Sequence, residues 1–190
     1  MRSEASHNPE MLGCGPLVVV TGLSGVGKST VCRRVVDLVR SLGLAAGGIV
    51  TERRVDDGRG AGLDVVDVAT DERRPLAEWD RVTGGATTGR WHFHPEALVF
   101  GLARCGRVPP EALLVIDELG PLELLQHDGW APLVPLLRAH IGPVMVVVRP
   151  SLIAAFLVLA DGCNPDTVEV TPAERDALPP IIVSRLGIGL

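Results

Sequence analysis

Val18-Val19-Val20-Thr21-Gly22-Leu23-Ser24-Gly25-Val26-Gly27-Lys28-Ser29-Thr30 is the stretch on which the fold turns. An apolar run leads into a glycine-rich turn, then Lys-Ser-Thr, then the helical pattern Val31-Cys32-Arg33-Arg34-Val35-Val36-Asp37-Leu38-Val39. Gly22 to Ser29 fits G-x-x-x-x-G-K-[ST], a phosphate-binding loop between a strand and a helix. Glycines let successive backbone N–H groups point into one hollow, and the following helix aims its positive end at it. On this reading Gly22, Leu23, Ser24, Gly25, Val26, Gly27, Lys28, Ser29 and Thr30 bind the phosphates of a nucleotide. Lys28 supplies a point charge and Ser29 a hydroxyl oxygen for Mg²⁺. Of eighteen basic residues, Lys28 is the only lysine; the rest are arginine. A compact ammonium on a flexible stem is kept at the one position where a planar guanidinium cannot replace it.

The rest of the chain supports a buried parallel sheet. Its 190 residues fit one domain, with 46% hydrophobic and 22% charged residues. We expect a leader over residues 1–15 and a single domain over 16–190. Apolar runs Pro16–Thr21, Ala45–Thr51, Leu113–Ile116 and Pro143–Val148 read as strands, with Thr167–Thr171 as a late one. Helices are expected to about Leu42, with Gly43 as the stop, from Pro95 to Cys105, over Trp130–His140 and Ser151–Leu159, and over Pro172–Leu186. The glycine-rich Glu52–Gly62 followed by Leu63–Val68 reads as a hairpin, Gly89–Phe93 as a short strand, and Thr70–Thr88 as charged and turn-rich. Alternating strands and helices give an α/β, three-layer P-loop fold: a mostly parallel sheet, helices on both faces, and a β-hairpin insertion.

Bulk properties exclude several roles. Net charge is −5 and the basic residues are scattered, which argues against a nucleic-acid footprint. Cys14, Cys32, Cys105 and Cys163 lie far apart, so neither a disulfide framework nor a zinc site is read. A reduced, cytoplasmic setting is expected. No apolar run reaches the roughly 18 residues of a membrane span. His92 and His94 lack a third ligand.

Asp117 and Glu118 end the strand Leu113–Ile116. In parallel sheets, groups at the carboxyl ends of strands converge on a ligand, so Asp117 is expected to help Ser29 hold Mg²⁺. Glu118 is expected to activate the attacking water, with Glu123 as a second candidate. An arginine stabilising the transferring phosphoryl group is sought among Arg149, Arg53, Arg54 and Arg175.

Several stretches together resemble one family: the small P-loop nucleoside-triphosphatases of the thermophile (THEP) type, which include a human cancer-related nucleoside-triphosphatase. Gly22–Thr30 is similar to its Gly-x-x-Gly-x-Gly-Lys-Thr-Thr start, and Gly48-Ile49-Val50-Thr51-Glu52 to its Gly-Phe-x-Thr-Glu. Gly58-Arg59-Gly60-Ala61-Gly62-Leu63 is similar to its arginine-rich hairpin, and Gly89-Arg90-Trp91 to its Gly-Lys-Tyr. Ile116 to Glu123 matches Ile-Asp-Glu-x-Gly-x-x-Glu, and Val170 to Asp176 is similar to Val-Thr-x-x-Asn-Arg-Asp. Ile49 and Leu63 stand where the family has aromatics, Glu174 stands for Asn, and the hairpin arginines are offset. The resemblance implies hydrolysis of nucleoside triphosphates, ATP and GTP among them, with Mg²⁺ and loose base selection. A monomer or weak oligomer is expected. Two other readings of the residues stay open: a small-molecule or nucleoside kinase, with Thr70–Thr88 as an acceptor lid, and a slow nucleotide-binding regulator of a partner enzyme. No Asn-Lys-x-Asp guanine-reading motif is present, which argues against a Ras-like switch.

Overall fold

The structure, a computed structural model, describes residues 14–56 and 60–189. Of the expected leader, residues 1–13 lie outside them. Gly15 donates to the His140 carbonyl at 2.9 Å, and a Cβ there would come within 2.0 Å of the Gly142 carbonyl oxygen, so the chain is tied down from this point.

In chain order come β1 (Leu17–Thr21), α1 (Lys28–Ser41), β2 (Ala46–Asp56), β3 (Gly60–Asp67), β4 (Arg73–Trp79), β5 (Thr87–Thr88) and β6 (Trp91–Phe93). Then come α2 (Pro95–Cys105), β7 (Leu113–Leu119), α3 (Pro121–Leu124), α4 (Leu133–Ala139), β8 (Val144–Val148), α5 (Ile153–Leu159), β9 (Asp166–Glu169) and α6 (Leu178–Arg185). A 3₁₀ turn, Pro150–Leu152, precedes α5.

All nine strands of the described residues share one sheet, ordered β5-β6-β4-β3-β2-β7-β8-β1-β9. The run β2-β7-β8-β1-β9 is parallel. The hairpin read from sequence continues that sheet: β2 extends to Asp56, and β3, β4, β6 and β5 add antiparallel strands beside it. Within Thr70–Thr88, expected to be turn-rich, Leu76 and Ala77 are buried and β4 forms around them.

Alternation along the central strands divides the core in two, as a sheet buried on both faces requires. Val19, Leu114, Ile116, Val146 and Val148 pack with Leu98 and Phe100 of α2, Leu133 and Leu137 of α4, and Phe156 of α5. Val18, Val20, Val115, Met145 and Val147 pack with Val31, Val35 and Val39 of α1 and Ile182 and Val183 of α6. The final helix begins only at Leu178, because Pro179 and Pro180 fit the first turn of a helix and not its middle. Because β1, β7 and β8 all run the same way, their carboxyl ends open on one edge of the sheet.

Candidate active site

At that edge the loop between β1 and α1 is shaped by three glycines in the left-handed region, Gly22 (φ 135°), Gly25 (φ 83°) and Gly27 (φ 102°). A Cβ on Gly22 would stand 2.6 Å from the Val170 carbonyl oxygen, so the loop also packs where only glycine fits. Lys28 is nearly buried, and its Nζ donates to the carbonyls of Gly22 (2.8 Å) and Leu23 (2.9 Å). Two of the three ammonium protons pin the side chain along the loop, which leaves one to face a phosphate. The first turn of α1, beginning at Lys28, presents unpaired N–H groups to the same hollow.

On β7 the pairing with β8 shifts register between Ile116 and Leu119, which lifts Asp117 and Glu118 out of the regular ladder. The peptide joining them is cis. Asp117 is 1% exposed; Ser29 lies beside its carboxylate, and Oδ2 accepts from the Thr51 N–H at 3.4 Å. Burial pushes its carboxyl up to about 7, with the neighbouring Glu118 charge adding to the rise, against the opposing pull of Ser29, Thr51 and Lys28. Ser29 and Asp117, far apart in sequence, are thus neighbours in the site. Glu118 Oε1 accepts from Arg149 Nε at 2.5 Å.

Glu123, expected as a second water-activating carboxylate, lines the same cavity, and both its oxygens meet backbone N–H groups. It is buried, Oε2 accepts from the Gly120 N–H (2.8 Å), and Oε1 accepts from the Trp130 N–H (3.3 Å). Both oxygens close the turn that starts α3 and hold the segment carrying Trp130. Burial raises its pKa against those hydrogen bonds.

The arginines separate clearly. Arg149 joins the site through Glu118. Arg175 packs its side chain over Gly27, where a Cβ would meet Arg175 Cδ at 3.3 Å, so it flanks the helix end of the loop. Arg54 is turned away from the cavity. Neighbours in a strand project to opposite faces, and Arg54 reaches Asp64 (2.5 Å) and Glu78 (2.5 Å) on the strands beside it. Gly62 permits this, since a Cβ there would stand 2.6 Å from Arg54 Nη2. Among the described hairpin arginines, Arg53, on the opposite face, lines the cavity. Strand parity held the signal: Arg53 shares the face of Thr51, whose N–H reaches Asp117.

Lys28, Ser29, Thr51, Arg53, Glu118, Glu123 and Arg149 line one cavity of about 1090 Å³. One end holds the phosphate loop, Glu118 and Arg149; the other is walled by Leu63, Leu76, Trp79, Trp91 and Phe93. Arg33 and Arg90 also line it, the first bonded to Glu52 and Asp71, the second to Asp80. The cavity's aromatic wall and Arg33 were not singled out as functional in sequence, because their convergence depends on the antiparallel half of the sheet. Among the described residues there is no cluster of three or more His, Cys, Asp or Glu that could hold a metal, and no helix long and apolar enough to cross a membrane. His94 Nε2 lies 3.6 Å from Glu78 Oε1.

Comparison with known proteins bears on this arrangement. A family model described as NTPase matches residues 17–183. A protein named nucleoside-triphosphatase THEP1 from Methanopyrus kandleri is 30% identical over 164 residues, 85% of this chain and 89% of that protein. Another of that name from Thermofilum pendens is 30% identical over 172 residues, 88% of this chain and 93% of that one. Among solved structures, THEP1 from Aquifex aeolicus superimposes with a TM-score of 0.67 at 21% identity, covering 89% of this chain and 98% of its own. The solution structure of a human cancer-related nucleoside triphosphatase gives 0.71 at 23% identity, covering 90% and 96%. These two structures share its fold.

Proposed function

This chain belongs to the NTPase family and is a nucleoside-triphosphatase; from that premise we propose that it hydrolyses nucleoside 5′-triphosphates, ATP and GTP among them, to diphosphate and phosphate in a Mg²⁺-dependent reaction. The observation that carries the reading is the meeting of the Lys28 loop, the Ser29–Asp117 pair and the Glu118–Arg149 pair at one carboxyl edge of the sheet.

The residues fit the metal. A hydroxyl beside a carboxylate offers the hard oxygen ligands that Mg²⁺ takes. A carboxyl driven up to about 7 by burial also gains most from an adjacent cation. Ser29 and Asp117 would hold it. When bound, Mg²⁺ would neutralise charge building on the phosphate oxygens. The chain's own groups do the rest. The loop N–H groups and Lys28 fix the β- and γ-phosphates. Glu118 Oε2, which has no hydrogen bond among the described residues, accepts a proton from the attacking water, while Arg149 holds Oε1 and so fixes the direction of Oε2. The Arg149 guanidinium has further N–H donors for the transferring phosphoryl group. Little covalent chemistry is asked of the protein; positioning and electrostatics suffice.

All four cysteines are free, which supports a reducing, cytoplasmic setting. The test is phosphate release from a panel of nucleoside triphosphates with Mg²⁺ and with EDTA. Release from several nucleotides, lost with EDTA and in Lys28→Ala, is expected. Glu118→Gln should keep nucleotide binding and lose turnover; full activity in that variant would remove Glu118 from the mechanism.

A further inference from the structure

The aromatic end of the cavity is unused by this chemistry. The chain has three Trp, three Phe and no Tyr. All three tryptophans and Phe93 line this one cavity. Trp130 is accounted for by folding: it is 2% exposed and its Nε1–H donates to the Leu98 carbonyl at 3.0 Å. Trp79 is not. It is 39% exposed and stands edge-on to Trp91, ring centroids 5.0 Å apart, directly across the β4–β6 pair. Arg90 lies over the Trp79 ring, its Cζ 5.0 Å from the centroid, and Trp79 is still 39% exposed, so the Trp79–Trp91 corner keeps aromatic surface open at the cavity wall.

The position of that surface relative to the phosphate loop decides what can cover it. Attack on the γ-phosphorus comes in line, from the side opposite the bridging oxygen. On the reading above, that side faces Glu118 on β7. The nucleoside of the bound triphosphate leaves in the other direction, through the β-phosphate. Continuing away from β1 and past β7, the sheet runs β2, β3, β4, β6. Arg53 on β2 is one strand beyond Glu118, and Trp79 on β4 is two strands beyond Arg53 and two residues along from Ala77, which lies in register with it, so about 12 Å at ordinary strand dimensions. Arg53 lines the cavity and has no ion-pair partner among the described residues. The order is therefore γ-phosphate, Glu118, a cation, and then an aromatic corner.

We propose that this compartment is a second ligand site on the acceptor side of the γ-phosphate, taking a planar heteroaromatic anion of the nucleoside-monophosphate class. Its ring stacks at the Trp79–Trp91 corner and its anionic group meets Arg53. The proposal rests on the triphosphatase reading, which orients the triphosphate. An occupant there stands where water must enter, so it slows phosphate release without displacing the triphosphate.

The experiment is calorimetric titration of the full chain with AMP, GMP and adenosine, after saturation with Mg²⁺ and a non-hydrolysable triphosphate analogue. Binding of one monophosphate per chain is expected, weakened at least tenfold in Trp79→Leu, the size of a lost stacking contact, and restored in Trp79→Phe, which also controls for folding. Arg53→Gln should weaken the monophosphates and leave adenosine unchanged. Phosphate release from ATP should fall over the same monophosphate concentrations, with ATP affinity unchanged. No binding up to millimolar probe, displacement of the probe by the analogue, or equal binding in Trp79→Leu would each overturn the proposal. Displacement would make the corner the triphosphate's own base site. Failure of the triphosphatase reading is separately visible as absent phosphate release without any probe.

Discussion

Asp117→Asn should stabilise the nucleotide-free protein at pH 8 far more than at pH 5. The wild-type carboxyl sits at about 7 in the fold, against 3.8 as its ordinary value. A raised folded value means that the neutral form is the one the fold accommodates. The stabilising state is therefore fully present below about pH 4 and is lost as pH rises through 7. The whole shift corresponds to about 4 kcal/mol at high pH. At pH 5 the unfolded carboxyl is already ionised while the folded one is still protonated, so the cost is about 2 kcal/mol. The amide cannot ionise, and its oxygen can still accept from the Thr51 N–H.

The stability difference between variant and wild type should consequently grow by about 2–3 kcal/mol from pH 5 to pH 8. For a chain of this length that is a relative shift of about 5–10 °C in Tm. Urea unfolding and thermal melts in EDTA at both pH values measure it. A difference that is the same at pH 5 and pH 8 would refute the account of Asp117 as a carboxylate held against its charge by burial. Adding Mg²⁺ and a non-hydrolysable nucleotide should then stabilise the wild type and not the variant.

Three further outcomes are expected. A lysine-directed acylating reagent should modify one side chain, Lys28, as the chain has no other lysine; intact-mass measurement should show the adduct tracking loss of phosphate release and blocked by nucleotide. Glu123→Gln should lower stability by about 1–3 kcal/mol, since an amide offers one acceptor to the two buried N–H groups of Gly120 and Trp130; a variant with unchanged Tm and a kcat reduced a hundredfold would instead make Glu123 catalytic. Arg149→Ala should lower kcat by about 10²–10³-fold with nucleotide affinity little changed, the size of a lost transition-state donor; steady-state kinetics beside direct nucleotide binding separate the two.

The phosphate loop was legible because it is a backbone device: residue spacing alone dictates where glycines and the lysine must stand. Helix α2 was legible, with Pro95 opening it and its end expected near Cys105, where it closes. Strand β4 was not. Arg73-Arg74-Pro75 reads as a turn, since proline removes a ladder donor. The strand survives because its register against β3 shifts beside Pro75, which pairs with Asp64, and because Leu76 and Ala77 are buried. Glu123 was legible only in part. Its acidic motif position suggested chemistry, whereas its partners are the backbone N–H groups of Gly120 and Trp130, one of them seven residues on. Backbone partners leave no trace in residue type.

The carboxylate at the centre of the site is set by where the ladder stops. β2 pairs with β7 only as far as Ile49 opposite Ile116, and Ile116 is likewise the last regular partner of β8, opposite Val146. Gly48, at φ 104° and with room for no Cβ beside the Val115 carbonyl oxygen, lets the two strands close at that point. Beyond it β7 lifts away while β2 runs on to pair with β3. Thr51 then presents an N–H toward β7 with no ladder carbonyl to receive it, and the Asp117 carboxylate accepts it instead. A buried donor left without a partner is costly, so the interrupted ladder itself holds the acid in place. The same divergence leaves Glu118, near the end of β7, beside the cavity that Arg53 and the aromatic wall also line. The acid that would hold the metal and the placing of Glu118 beside the cavity thus share one structural cause, the separation of β2 from β7 after Ile49.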